Sequence, residues 1–113
     1  MQQLPQAFSA LRAYAQFVLW KAVASKSRPG KFDKFPCDIT GNVTDAHNPN
    51  VWLDSDTAIS TAELLGDQYG VGFVFTSNDP FYCVDIDSAY DGQWSPLATQ
   101  LCTELSGAAV EIS

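Results

Sequence analysis

The chain has 113 residues, 46% of them hydrophobic and 17% charged, which suits one small domain with a single core and is too short for two catalytic modules. No apolar run approaches the roughly 20 residues of a membrane span, and the start, Met1-Gln-Gln-Leu-Pro5, lacks the basic and apolar stretches of a secretory signal. The formal charge is −7, but it is divided unevenly along the chain.

Residues 1–32 carry Arg12, Lys21, Lys26, Arg28 and Lys31 with no acid, whereas every Asp and Glu lies beyond them. Five of the six basic residues lie between Lys21 and Lys34, so any attraction for phosphate is concentrated in that segment, where Arg28, Lys31 and Lys34 are candidates for nucleotide or nucleic-acid contact. A solvated basic loop is the competing reading. Cys37, Cys83 and Cys102 are odd in number, widely spaced and without a Cys-x-x-Cys pair. They read as free thiols of a reducing cytoplasm.

In chain order, Leu4, Phe8 and Leu11 recur at helical spacing with Pro5 suited to a first turn, which predicts a short helix over 4–14. Residues 16–24 are open to two readings, because alanine favours helix while Phe17-Val18-Leu19-Trp20 favours strand. Ser25 to Gly30 reads as a basic turn, Phe32 to Phe35 as a second strand, and Gly41 to Asn50 as a loop containing the lone His47. Asp54 to Leu65 is predicted helical. An Asp/Ser cluster offers the cap, Ile59, Ala62, Leu64 and Leu65 supply apolar contacts, and Gly66 ends it. Cap chemistry accounts fully for the Asp-x-Asp at Asp54 and Asp56.

The stretch from Gly72 to Asp87 holds two apolar runs parted by Ser77-Asn78-Asp79-Pro80, the composition of a β-hairpin. On its second strand Asp85 and Asp87 would share one face, roughly 6.6 Å apart along the chain, with Val84 and Ile86 on the other. Paired carboxylates at that spacing suit hard divalent cations, Mg2+ or Mn2+. Leu97 to Leu105 has helical periodicity with Pro96 in its first turn, and Ala108 to Ile112 reads as a last strand on which Glu111 and Ser113 could face one pocket. The succession implies an α+β domain over 1–113, a largely antiparallel sheet with helices packed on it and an open edge. Trp20, Trp52, Phe73 and Phe75 are assigned to the core, and Trp94 is the best exposed stacking candidate.

Gly72-Phe-Val-Phe-Thr76, Asp79-Pro-Phe81 and Val84-Asp-Ile-Asp87 together resemble the bifunctional DNA primase/polymerase domain of phages, plasmids and other mobile elements, a branch of the archaeo-eukaryotic primase superfamily. Gln16-Phe-Val-Leu-Trp20, Gly30-Lys31, Lys34-x-Pro36, Gly41 and Asn48-Pro-Asn-Val-Trp52 follow the order of that family. The resemblance favours strand over helix for residues 16–24. It implies nucleotidyl transfer with Asp85 and Asp87 as catalytic metal ligands, DNA template and nucleoside triphosphates as substrates, and a helicase domain or replication protein as partner. The family's Ser-x-His motif and later acidic residue do not occur here. The expectation is thus the amino-terminal part of a primase-polymerase, inactive alone, shortened or encoded as a remnant. Two alternatives stand beside it: a non-catalytic acidic remnant that binds a partner or imitates DNA, and an unrelated α+β binding module.

Overall fold

The structure, a computed structural model, describes residues 3–110. The chain divides into two compact units, one running through Thr76 and the other starting at Ser77. The first holds a three-stranded antiparallel sheet, β1 (Phe17–Ala24), β2 (Phe32–Cys37) and β3 (Tyr69–Phe73), in the order β2-β1-β3, together with helix α1 (Ser55–Leu65). The second holds helix α2 (Pro96–Glu104). The α+β class expected from the sequence is the class observed.

The ambiguous segment 16–24 is a strand because it is the central one, paired on both sides. Leu19 lies opposite Cys37 of β2 and Val71 of β3, and Phe17 opposite Phe73. Strand alternation carries Phe17, Leu19, Cys37, Val71 and Phe73 to one face, where Ala58 and Ala62 of α1 close the core with Leu53 and Leu65 around them. Alanine at those helix positions lets α1 approach the sheet closely. Leu19 is 1% exposed, and its burial contributes about 2 kcal/mol to folding.

Pro36 extends β2 beyond the predicted Phe35. It sits opposite Trp20 on an outer strand of the sheet, where a missing N–H costs no ladder bond. Beyond β2 the Asp38 carboxylate accepts hydrogen bonds from the Thr40 hydroxyl at 2.6 Å, the Thr40 N–H at 2.9 Å and the Asn42 N–H at 3.1 Å. These bonds turn the chain and favour the ionised form.

At the head of α1, Asp54 accepts from the Thr57 N–H at 3.1 Å and from the Thr57 hydroxyl, satisfying an end of the helix that has no internal partner. Asp56 in the first turn holds both its oxygens 3.1 Å from the Arg12 guanidinium. The first Asp-x-Asp thus supplies a cap, as its composition implied, and also an ion pair, which its composition did not. Gly66 ends the helix with φ at +121°, in a region L side chains rarely enter. Leu64, expected to supply an apolar contact, is 87% exposed, whereas Leu65, of which the same was expected, packs against the core.

The predicted amino-terminal helix forms as a tighter 3-10 helix, Gln6–Ala13, with no side-chain cap. Leu4 and Leu11 pack against the core. In the second unit, Ser95 caps α2 by accepting the Ala98 N–H at 3.1 Å, and Pro96 occupies the first turn where its missing N–H is harmless. The end of α2, Glu104, matches the sequence reading to one residue.

Two expected strands differ. The first arm of the predicted hairpin exists as β3, but it begins at Tyr69 and pairs with β1. Residues 81–86 adopt no strand. A strand requires a ladder partner, and the local alternation of Val84, Asp85, Ile86 and Asp87 cannot supply one. Tyr82 and Val84 are 72% and 49% exposed, so the apolar side of that alternation is not packed away. Residues 108–110 are likewise irregular, and the rest of the last predicted strand, with Glu111 and Ser113, lies outside the described residues.

Candidate metal and nucleic-acid sites

Asp85 and Asp87 follow the turn at Ser77-Asn78, in which the Asp79 carboxylate accepts the Phe81 N–H at 2.9 Å. Both are exposed and stand in irregular chain that turns at Asp87-Ser88, with Ser88 at φ +55°. The expected common strand face is therefore absent. Neither carboxylate takes part in an ion pair among the described residues, so their oxygens are open to solvent and to cations. No three His, Cys, Asp or Glu side chains gather in a metal-holding group among the described residues.

Immediately beyond them, Tyr90 and Trp94 form an isolated antiparallel bridge around Asp91-Gly92-Gln93, with ring centroids 4.9 Å apart and planes at 55°. Gly92 at φ +105° makes this tight turn. Trp94 is 45% exposed, as expected of a stacking candidate, although one side of its ring is taken by Tyr90. From Ser77 onward the chain contains Asp79, Asp85, Asp87, Asp91, Glu104 and Glu111 and no Lys or Arg. A phosphate drawn to this unit would need a bound cation to offset the repulsion.

The basic candidates belong to the first unit and do not act as one cluster. Arg28 in the β1–β2 turn donates to Asp33 at 2.7 Å, and Asp33 alternates with Lys34 along β2, so their side chains leave opposite faces of the sheet. Lys31 closes the turn through its backbone, its carbonyl accepting the Ser25 N–H at 2.9 Å, and its side chain is exposed. Lys34 places its ammonium 4.7 Å from the centroid of the Trp20 ring.

Trp20 departs from its expected core position. It lies half-buried on the face opposite α1, where its Nε1 donates to the Val71 carbonyl at 3.0 Å. Because Phe17, Val18, Leu19 and Trp20 are all apolar, their sequence carries no parity. The available signal was the facing Gly70-x-Gly72, which leaves room for a flat ring. Trp52 is half-buried and donates to the Ala46 carbonyl at 2.7 Å. Phe73 stacks edge-on between Phe17 and Phe75, at centroid distances of 5.1 and 5.3 Å, while Phe75 itself is 42% exposed. His47 sits in a turn with its N–H donated to Asp45 at 2.9 Å, in keeping with a structural part.

Cys37, Cys83 and Cys102 form no disulfide; Cys37 is buried and the other two are exposed. Burial, and then the neighbouring Asp38 charge, push the Cys37 thiol above its ordinary pKa. Among the described residues no helix is long and apolar enough to cross a membrane.

Against curated proteins, the chain is 36% identical over 85 residues, 75% of its length, to a protein named DNA primase-polymerase from Nitratiruptor phage NrS-1. The chain spans 11% of that relative's length. No family model matches, and no solved structure does. The resemblance carried by the motifs is borne out: over this stretch the chain is related to a phage-type DNA primase-polymerase.

Proposed function

We propose that the chain contributes to a DNA primase-polymerase, with Asp85 and Asp87 as the carboxylates that hold Mg2+ or Mn2+ for nucleotidyl transfer. The observation that carries the reading is the 36% identity to a phage primase-polymerase across three-quarters of the chain. The donor chemistry fits, since two anionic oxygen ligands suit hard cations, and magnesium is commonly held by one or two carboxylates together with substrate phosphates. A bound pair of such ions supplies charge neutralisation of the triphosphate and activation of the attacking hydroxyl.

The chain's own part is to present exposed carboxylates, unengaged by Lys or Arg, in a unit that has no basic residue to compete for them. Template DNA and nucleoside triphosphates are the corresponding substrates. The test is binding of a fluorescent nucleoside triphosphate with and without Mn2+. The expected result is metal-dependent binding that Asp85→Asn and Asp87→Asn each abolish; equal binding by the variants would remove both residues from the site.

The excess of acid from Ser77 onward favours a second reading, an acidic module that binds a basic partner surface or stands in for DNA. It predicts salt-sensitive association that is indifferent to divalent cations.

A further inference from the structure

The face of the sheet opposite α1 combines an aromatic, a cation and a glycine strip. Trp20 on β1 lies opposite Gly70 of β3, and Ala22 opposite Lys34 of β2. The indole crosses to β3 so closely that a Cβ on Gly70 would stand 2.1 Å from its Cζ2. Its hydrogen bond to the Val71 carbonyl fixes the ring there, and the Lys34 ammonium rests above it. Phe32, two residues before Lys34 and therefore on the same face, is 64% exposed.

We infer that this face docks single-stranded DNA, with Lys34 meeting a backbone phosphate and Phe32 stacking on a base. The inference rests on the reading that the chain acts on DNA, but it does not depend on Asp85 or Asp87. Charge complementarity argues for an anionic occupant, because these residues include a cation and no acid, in a chain whose basic residues are concentrated between Lys21 and Lys34. The shape argues for an extended one. The Trp20 ring fills the space over Gly70, which leaves Phe32 and Lys34, both exposed and about 6.6 Å apart along β2, as a linear contact suited to an extended strand, whereas a free nucleotide is ordinarily enclosed by a pocket. Exposed aromatics beside a cation are the combination that holds unpaired bases without regard to sequence. The Lys34 ammonium sits over the Trp20 ring, whereas Arg28 in the β1–β2 turn pairs with Asp33, whose side chain leaves the opposite face.

The test uses fluorescence anisotropy of a labelled oligothymidylate with the 113-residue chain, in chelator and across a salt series. Wild type should bind at low salt. Lys34→Gln should weaken binding about 5-fold or more and flatten the salt dependence by about 0.7 in log–log slope, the share of one phosphate contact on a single strand. Phe32→Ser should weaken it by at least about 5-fold, with circular dichroism establishing that both variants fold. Lys26→Gln in the turn should leave the slope unchanged. Asp85→Asn and Asp87→Asn should also bind DNA normally in chelator, which separates this face from the metal reading. The inference is overturned if wild type does not bind, if Lys34→Gln leaves the slope intact, if Lys26→Gln matches it, or if the aspartate variants abolish binding in chelator.

Discussion

Replacing Gly70 with alanine tests the packing of the sheet's second face with a single methyl group. A Cβ at this position would lie 2.1, 2.5 and 2.6 Å from Cζ2, Cε2 and Cη2 of Trp20, all far inside van der Waals contact. The backbone of a paired strand cannot yield, so the indole must swing away. Overpacking of this kind costs about 1–3 kcal/mol, and loss of the Trp20 hydrogen bond to Val71 adds roughly 1 kcal/mol. The gain from removing glycine's excess chain entropy offsets about 0.5–1 kcal/mol. The net expectation is about 2 kcal/mol of destabilisation, or a fall in Tm of roughly 8 °C. Urea unfolding followed by circular dichroism measures it, with Gly72→Ala as the control, because a Cβ there meets its nearest neighbours at 3.7 and 3.8 Å, ordinary contact. In a Trp20→Ala background most of the cost of Gly70→Ala should disappear. Equal stability of Gly70→Ala and Gly72→Ala would refute the account of this face.

Further outcomes follow from the turns and thiols. The carboxyls of Asp38 and Asp54 are held below the ordinary carboxylate range, chiefly by the hydroxyls of Thr40 and Thr57. Their folded pKa values are thus depressed. The stability they contribute is complete above the unfolded value of about 3.9 and is lost as pH falls through the lower folded value. Asp54→Asn should flatten part of that acid limb in pH-dependent thermal melts, while an unchanged limb would deny the cap its electrostatic share. With a thiol reagent in native conditions, exposed Cys83 and Cys102 should react rapidly and buried Cys37 only on unfolding; three equally fast thiols would contradict the packing of Leu19 against Cys37.

Local chemistry made much of the first unit legible. The Asp/Ser cluster at Asp54 and Gly66 bracket α1 with residues whose side chains or backbone freedom act within one turn, and in the second unit Pro96 marks the first turn of α2. The strand at Phe17–Ala24 was decided less by propensity than by its place in a motif order, since alanine and aromatic residues pulled in opposite directions. Non-local facts were less visible. The alternation from Val84 to Asp87 satisfies a strand's side-chain period, yet pairing depends on a neighbour that a period cannot reveal. Trp20 was misplaced for a related reason: a run of four apolar residues hides which ones face the core, and only the glycines on the facing strand betray the answer. Asp85 and Asp87 stand out by their spacing, but the strand that the spacing presumes does not form, whereas Phe32 and Trp20 emerge only from the register of β2 and β3.

The proposed role of Asp85 and Asp87 requires that they jointly hold a divalent cation. Electron paramagnetic resonance of Mn2+ measures this directly, because binding removes the six-line signal of the free aqueous ion. Titrating the wild-type chain should suppress that signal at stoichiometric protein, and Asp85→Asn combined with Asp87→Asn should restore it. A signal that wild type leaves untouched, or that the double variant suppresses equally, would contradict the claim.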